Sequence, residues 1–203
     1  MKSPRFKITS LVLAAAALTL SAGAQAQSST SNTGSGYTMY GPGANYFGFN
    51  AGRSDFKLGG GVGGFPSDTK DNAYSIYGGS HFNENFALEL GYNDFGTVAR
   101  GGGNTKASGF NLSLVGKLPL SPAFAATARV GTTYGRTNVS SNPASGIGSG
   151  KESGFGLSYG LGLEYAFTPS WSGVLQYDEH KLKFVGSGRE SVNTTSVGVK
   201  YRF

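Results

Sequence analysis

The stretch 192–203 constrains the fold more than any other part of the chain. Val197, Val199, Tyr201 and Phe203 fall on one face of an extended strand, and Ser196, Gly198, Lys200 and Arg202 fall on the other. Successive strand side chains point to opposite sides, so one face is apolar and the other is small or cationic. Such a strand asks for two solvents. A closed barrel in a bilayer supplies both, with lipid outside and a polar interior within.

Seven earlier segments repeat the alternation. Segment 45–56 places Phe47, Phe49 and Ala51 on one face, and 73–82 does the same with Tyr74, Ile76 and Phe82. In 86–95, Phe86, Leu88, Leu90 and Tyr92 oppose Glu89, Gly91 and Asn93. In 108–118, Phe110, Leu112 and Leu114 oppose Asn111, Ser113 and Lys117. Segment 124–137 sets Ala126, Ala128, Val130 and Tyr134 against Thr127, Arg129 and Gly131. Segment 154–167 is the cleanest, with Leu157, Tyr159, Leu161, Leu163, Tyr165 and Phe167 facing away from Gly156, Ser158, Gly160, Gly162 and Glu164. Segment 171–182 sets Trp171, Leu175 and Tyr177 against Gln176, Asp178 and His180.

The connections alternate in length. Segments 83–85, 119–123 and 168–170 read as tight turns, and 57–72, 96–107, 138–153 and 183–190 as longer loops rich in Gly, Ser and charge. Phe82, Phe86, Phe124, Phe167, Trp171 and Phe203 gather at the short-turn end, with Tyr74, Tyr92, Phe110, Tyr134 and Tyr177 nearer the long loops. Two aromatic belts at the two lipid–water boundaries place residues in this way. Alternation by itself does not say which face is inside, so a soluble sandwich or lipocalin-like barrel with its apolar face inward is the competing reading. Loop asymmetry and the double belt favour an all-β, eight-stranded antiparallel up-and-down transmembrane β-barrel over residues 45–203.

Composition agrees. Residues 1–26 read as a secretory signal peptide, with basic Lys2, Arg5 and Lys7, an apolar run over 11–20 and a small-residue cleavage site at Ala24-Gln25-Ala26. Its removal takes three of the 17 basic residues and none of the 11 acidic ones, so the net charge falls from +6 to +3 and nucleic acid loses its main support as a partner. Cysteine is absent, which excludes disulfides and a cysteine-linked lipid anchor. After residue 26 no apolar run is long enough for a spanning helix, leaving a closed barrel as the other way to satisfy backbone groups in lipid. Residues 27–44, rich in Ser, Gly and Asn, read as a flexible lead-in.

The signal peptide, the eight segments, the run Phe86-Ala87-Leu88-Glu89-Leu90-Gly91-Tyr92 and the ending Val197-Gly198-Val199-Lys200-Tyr201-Arg202-Phe203 resemble the OmpA-like transmembrane domain and its small OmpX-type relatives. The resemblance implies the outer membrane of a Gram-negative bacterium, periplasmic termini and extracellular long loops. It also implies that the ending, through Tyr201 and Phe203, is similar to the signal read by the barrel-assembly machinery. Larger members continue into a peptidoglycan-binding domain, whereas this sequence stops at Phe203, so no wall-anchoring role is expected from it.

Glu89, Lys117, Arg129, Glu164, Gln176, Asp178, Lys200 and Arg202 share the polar face. An eight-stranded barrel has room inside only for side chains, so these groups should pair into an ionic plug. Glu89 and Glu164 are expected to meet some of Lys117, Arg129 and Lys200. The sharper alternative is a gated narrow diffusion pore. His180 beside Asp178 would serve an enzyme acting on lipid A as base and orienting carboxylate. The local His-x-Ser arrangement of such deacylases is missing, since Lys181-Leu182 follows. His180 therefore reads as polar surface near a loop, the sequence around His81 beside its turn points to no chemistry, and no catalytic residue, metal site or cofactor is assigned.

Glycine runs 59–64 and 101–103 are not followed by a helical pattern, so they read as flexible loop tips rather than phosphate cradles. Among rim cations that also include Arg100, Lys106, Arg136 and Lys151, the set Lys181, Lys183 and Arg189 is expected to face anionic lipopolysaccharide. The expected role is structural or surface-interacting, with outer-membrane lipid, the assembly machinery and an unidentified extracellular ligand as partners.

Overall fold

The computed structural model describes residues 44–59 and 67–203. The signal peptide, the lead-in through residue 43 and the glycine tract 60–64 lie outside the described residues. Eight strands follow in order: β1 (Asn45–Phe56), β2 (Lys70–His81), β3 (Phe86–Arg100), β4 (Gly103–Pro119), β5 (Phe124–Val139), β6 (Gly150–Ala166), β7 (Trp171–Phe184) and β8 (Gly188–Arg202). Each pairs antiparallel with its neighbours in sequence, and β1 pairs with β8, so the sheet closes and no edge strand is left open. The seam is complete to the chain end: the Phe203 N–H donates to the Asn45 carbonyl at 3.0 Å, and the Asn45 N–H returns a bond at 3.3 Å.

The apolar face points out. Leu161, Val197 and Leu175 are exposed on the outer wall, while Glu164, Lys200 and Arg202 are at most 5% exposed inside. A soluble barrel inverts that arrangement, so the lipocalin-like reading falls. Outward rings pair along both ends of the wall, as in Phe82–Phe86 and Trp171–Tyr201 near the termini and Tyr92–Phe110 and Tyr134–Phe155 nearer the loops.

Two of the four expected long loops are strands instead. β3 and β4 run on until only Gly101 and Gly102 join them, and β7 and β8 are joined by residues 185–187 alone. Gly101 and Gly102 take positive φ (56° and 73°), so this glycine pair makes a tight hairpin rather than a loose tip. The alternation in the sequence ends the third segment at Phe95, one residue before Gly96. It is a bulge: register shifts between Asp94 and Thr97, with Gly96 at φ 83° and the Thr97 N–H donating to an Asp71 carboxylate oxygen at 2.6 Å.

The bulge resets the alternation. Phe95 and Val98 both turn inward, where they join Phe56, Leu58, Ala107, Val139, Leu182, Phe184 and Val192 in an apolar core at the loop end. Ile147, from the connection carrying the short 3-10 turn Pro143–Ser145, packs against it. The barrel is thus polar inside at the level of its outward apolar band and apolar inside above it. Over that upper level the β6–β7 pairing stops at Ser158 and His180. There the Thr137 hydroxyl crosses from β5 to donate to the Lys183 carbonyl at 2.6 Å.

Candidate functional site

The lumen holds two ionic clusters. Near the termini, Glu164 on β6 receives Lys117 of β4 at 3.1 Å, Lys200 of β8 at 3.0 Å and the Arg202 guanidinium. Arg202 also donates to the Ser172 hydroxyl and, at 2.9 Å, to the Pro169 carbonyl. Farther from the termini, Arg129 of β5 bridges Glu89 of β3 at 3.0 Å and Asp178 of β7 at 3.5 Å, and donates to the Gln176 side-chain oxygen at 2.8 Å. The Asn50 amide donates to the same oxygen, and the Tyr77 hydroxyl donates to Asn50 at 3.3 Å. Charges so removed from water are tolerable only where partners replace the lost hydration, and breaking one pair leaves its partner stranded.

The structure therefore brings together Glu89 with Arg129, and Glu164 with Lys117 and Lys200, and adds Arg202 to the second group. Sequence reasoning missed Tyr46, which couples the two clusters: its hydroxyl donates to Glu89 at 3.0 Å, and Lys200 stands over its ring, 4.4 Å from the centroid. A signal for it was present. Tyr46 and Tyr77 break the outward aromatic pattern of β1 and β2, and each lies directly across from a glycine, Gly79 and Gly48. A Cβ at either glycine would overlap the facing ring, so these glycines exist to seat the inward tyrosines.

His180 is not loop surface; it is buried at the top of the polar layer. Its Nδ1 hydrogen-bonds the Thr133 hydroxyl at 2.8 Å, and its ring packs edge-on to Phe95 with centroids 4.9 Å apart. Asp178 turns instead to Arg129. His81 is also buried, with Nδ1 3.3 Å from the Ala44 carbonyl. Between Arg129 and His180 lies a cavity of about 30 Å³ bordered by Glu89, Asn111 and Asp178, room for a water or two. Above it lies the apolar core.

At the rim, Lys181 pairs with Glu179 (3.0 Å) and donates to the Ser191 hydroxyl (2.8 Å), Lys183 pairs with Glu152 (3.0 Å), and Arg189 donates to the Phe155 carbonyl (3.4 Å). Arg100, counted among rim cations by sequence, turns inward because the bulge shifts its face. It donates to the Gly59 carbonyl at 2.5 Å and the Ser187 hydroxyl at 3.0 Å, tying three connections together. Tyr201 and Phe203 point outward at the terminal end, stacked with centroids 6.2 Å apart.

Among solved structures, this chain is similar to Ail, the attachment invasion locus protein of Yersinia pestis, at 20% identity and TM-score 0.54, covering 80% of this chain and 99% of that one. Neisserial surface protein A aligns at 15% identity and TM-score 0.61, covering 79% and 99%. The outer membrane protein OprG from Pseudomonas aeruginosa aligns at 17% identity and TM-score 0.51, covering 82% and 98%. No curated protein matches the sequence. The family description "Outer membrane protein beta-barrel domain" matches residues 12–203. With that match spanning nearly all of a sequence that closes into eight antiparallel strands, the chain belongs to the outer membrane protein beta-barrel domain family.

Proposed function

We propose that this barrel is a non-enzymatic platform in the outer membrane, with periplasmic termini and a loop end that holds surface lipid and meets extracellular partners. The observation that carries this reading is the filled lumen: two ionic clusters, a cavity for a water or two, and an apolar core above them. A filled lumen suits a rigid support better than a diffusion path. A lipid-modifying activity would need a base free to act, and the His180 ring is enclosed by Thr133 and Phe95. In this reading Lys181, Lys183 and Arg189 touch lipopolysaccharide, and Tyr201 and Phe203 are read by the barrel-assembly machinery.

Mass spectrometry of lipid A from cells with and without the gene tests the enzymatic alternative, and planar-bilayer recordings of the purified protein test the pore. We expect an unchanged acyl pattern and no discrete conductance steps. A changed acyl pattern or reproducible steps would overturn the platform reading.

A further inference from the structure

The strand register makes one continuous patch of the outer wall across β7, β8, β1 and β2. Its lowest row is Tyr177, Thr195, Arg53 and Asn72, and the next is Glu179, Asn193, Asp55 and Lys70. Above these stand Lys181 and Ser191, with Lys57 beside them through its N–H bond to the Ser191 carbonyl, and then Lys183 opposite Arg189. Six cations share this patch with two acids. Both acids are already engaged, Asp55 by Lys57 at 2.8 Å and Glu179 by Lys181 at 3.0 Å. Arg53 and Lys70 form no ion pair among the described residues.

These two cations stand on a groove of about 450 Å³ in the outer wall. Small side chains, Ala51 and Thr195, form its floor, and Tyr177 stands at one side. Downward it continues through Val197 onto the apolar wall of Phe49 and Val199, all three exposed. The groove therefore carries Arg53, Lys57 and Lys70 at its upper lip, beside an Asp55 that Lys57 already holds, and is apolar below. An occupant must match both halves. A soluble anion satisfies only the cations, and an acyl chain alone satisfies only the floor.

We propose that Arg53 and Lys70 bind a phosphate of lipid A, with an acyl chain of the same molecule lying in the groove over Ala51 and Val197. An arginine fork and a lysine point charge together suit a phosphate, through charge-assisted hydrogen bonds. The site rests on the proposed orientation, in which the loop end meets the outer leaflet. It deepens that reading from a general cationic rim to one lipid in one place.

Native mass spectrometry of the purified full-length barrel in detergent, titrated with bisphosphorylated lipid A and with its dephosphorylated form, tests the site. The wild type should take up one saturable lipid A and bind the dephosphorylated form about ten-fold more weakly. The double variant Arg53→Gln/Lys70→Gln should lose about ten-fold in affinity, and Ala51→Trp, which fills the groove from the lipid side, should lose a similar amount. Heat-modifiable gel migration reports that each variant is still folded. Undiminished binding by both variants would overturn the site. If binding is lost instead in Lys181→Gln/Lys183→Gln/Arg189→Gln, the platform reading stands without this groove; if no protein shows saturable binding, both fall.

Discussion

Lys200 stands 4.4 Å from the centre of the Tyr46 ring, and the hydroxyl of that ring donates to Glu89 at 3.0 Å, so one side chain joins the two ionic clusters of the lumen. Tyr46→Phe keeps the ring under Lys200 and removes only the hydrogen bond to a carboxylate, for an expected loss of about 1.5–3 kcal/mol. Tyr46→Ala also empties the space over Gly79 and should cost about 3–5 kcal/mol. Denaturant unfolding of both variants in lipid vesicles separates the two contributions. Equal losses would remove the ring from the argument.

Three cations surround Glu164. Glu164→Gln leaves all three without their shared counter-charge and should destabilise by about 3–5 kcal/mol. Lys117→Met leaves Glu164 with Lys200 and Arg202 and exchanges a buried ammonium for a side chain of similar length, so its effect should be far smaller. The two midpoints of unfolding, measured side by side, check this asymmetry.

Arg129 serves two carboxylates, Glu89 and Asp178. Arg129→Ala should therefore cost about 3–5 kcal/mol, because both acids remain buried without their cation. Adding Glu89→Gln and Asp178→Asn to that variant should restore part of the loss. Failure of the triple variant to recover any stability would show that Arg129 acts through packing alone.

Glycine positions on the inner wall differ sharply. A Cβ at Gly198 would lie 2.0 Å from the Asn50 side-chain oxygen and 2.2 Å from the Phe49 carbonyl. Gly198→Ala should thus cost about 1–3 kcal/mol through forced displacement of β1. At Gly154 the nearest atom would be a Lys183 methylene carbon at 3.9 Å, so Gly154→Ala should be neutral or stabilise by about 0.4–1 kcal/mol. Unfolding midpoints of the pair decide it.

The apolar core occupies the lumen at the loop end, with Phe95 and Leu182 both fully buried in it. Phe95→Ala/Leu182→Ala should leave planar bilayers silent, because the ionic clusters below still fill the lumen, and adding Arg129→Ala should give discrete conductance steps. Steps from Phe95→Ala/Leu182→Ala alone would show that the ionic clusters leave a path.

Much of the wall was legible because alternation repeats in every segment and β1 begins and ends where the pattern does. The ion pairs were legible in kind, since a narrow interior forces charges such as Glu89 and Arg129 together. Their full membership was not: Tyr46 joins through register, which no local pattern states. The apolar upper interior was hidden for another reason. Phe95, Leu182 and Val192 obey the same alternation as the polar residues below them, and only the bulge at Gly96 brings Val98 and Arg100 to the same side. The glycine just past the expected end of the strand extends it.

That apolar core also bears on how the cylinder is made. Phe56 comes from the first strand and Val192 from the last, with Phe95 and Leu182 between them in sequence. No partial sheet lacking either terminal strand can complete this cluster, so its burial rewards only the finished ring. The upper core is a latch, drawn shut when the two ends of the sheet meet.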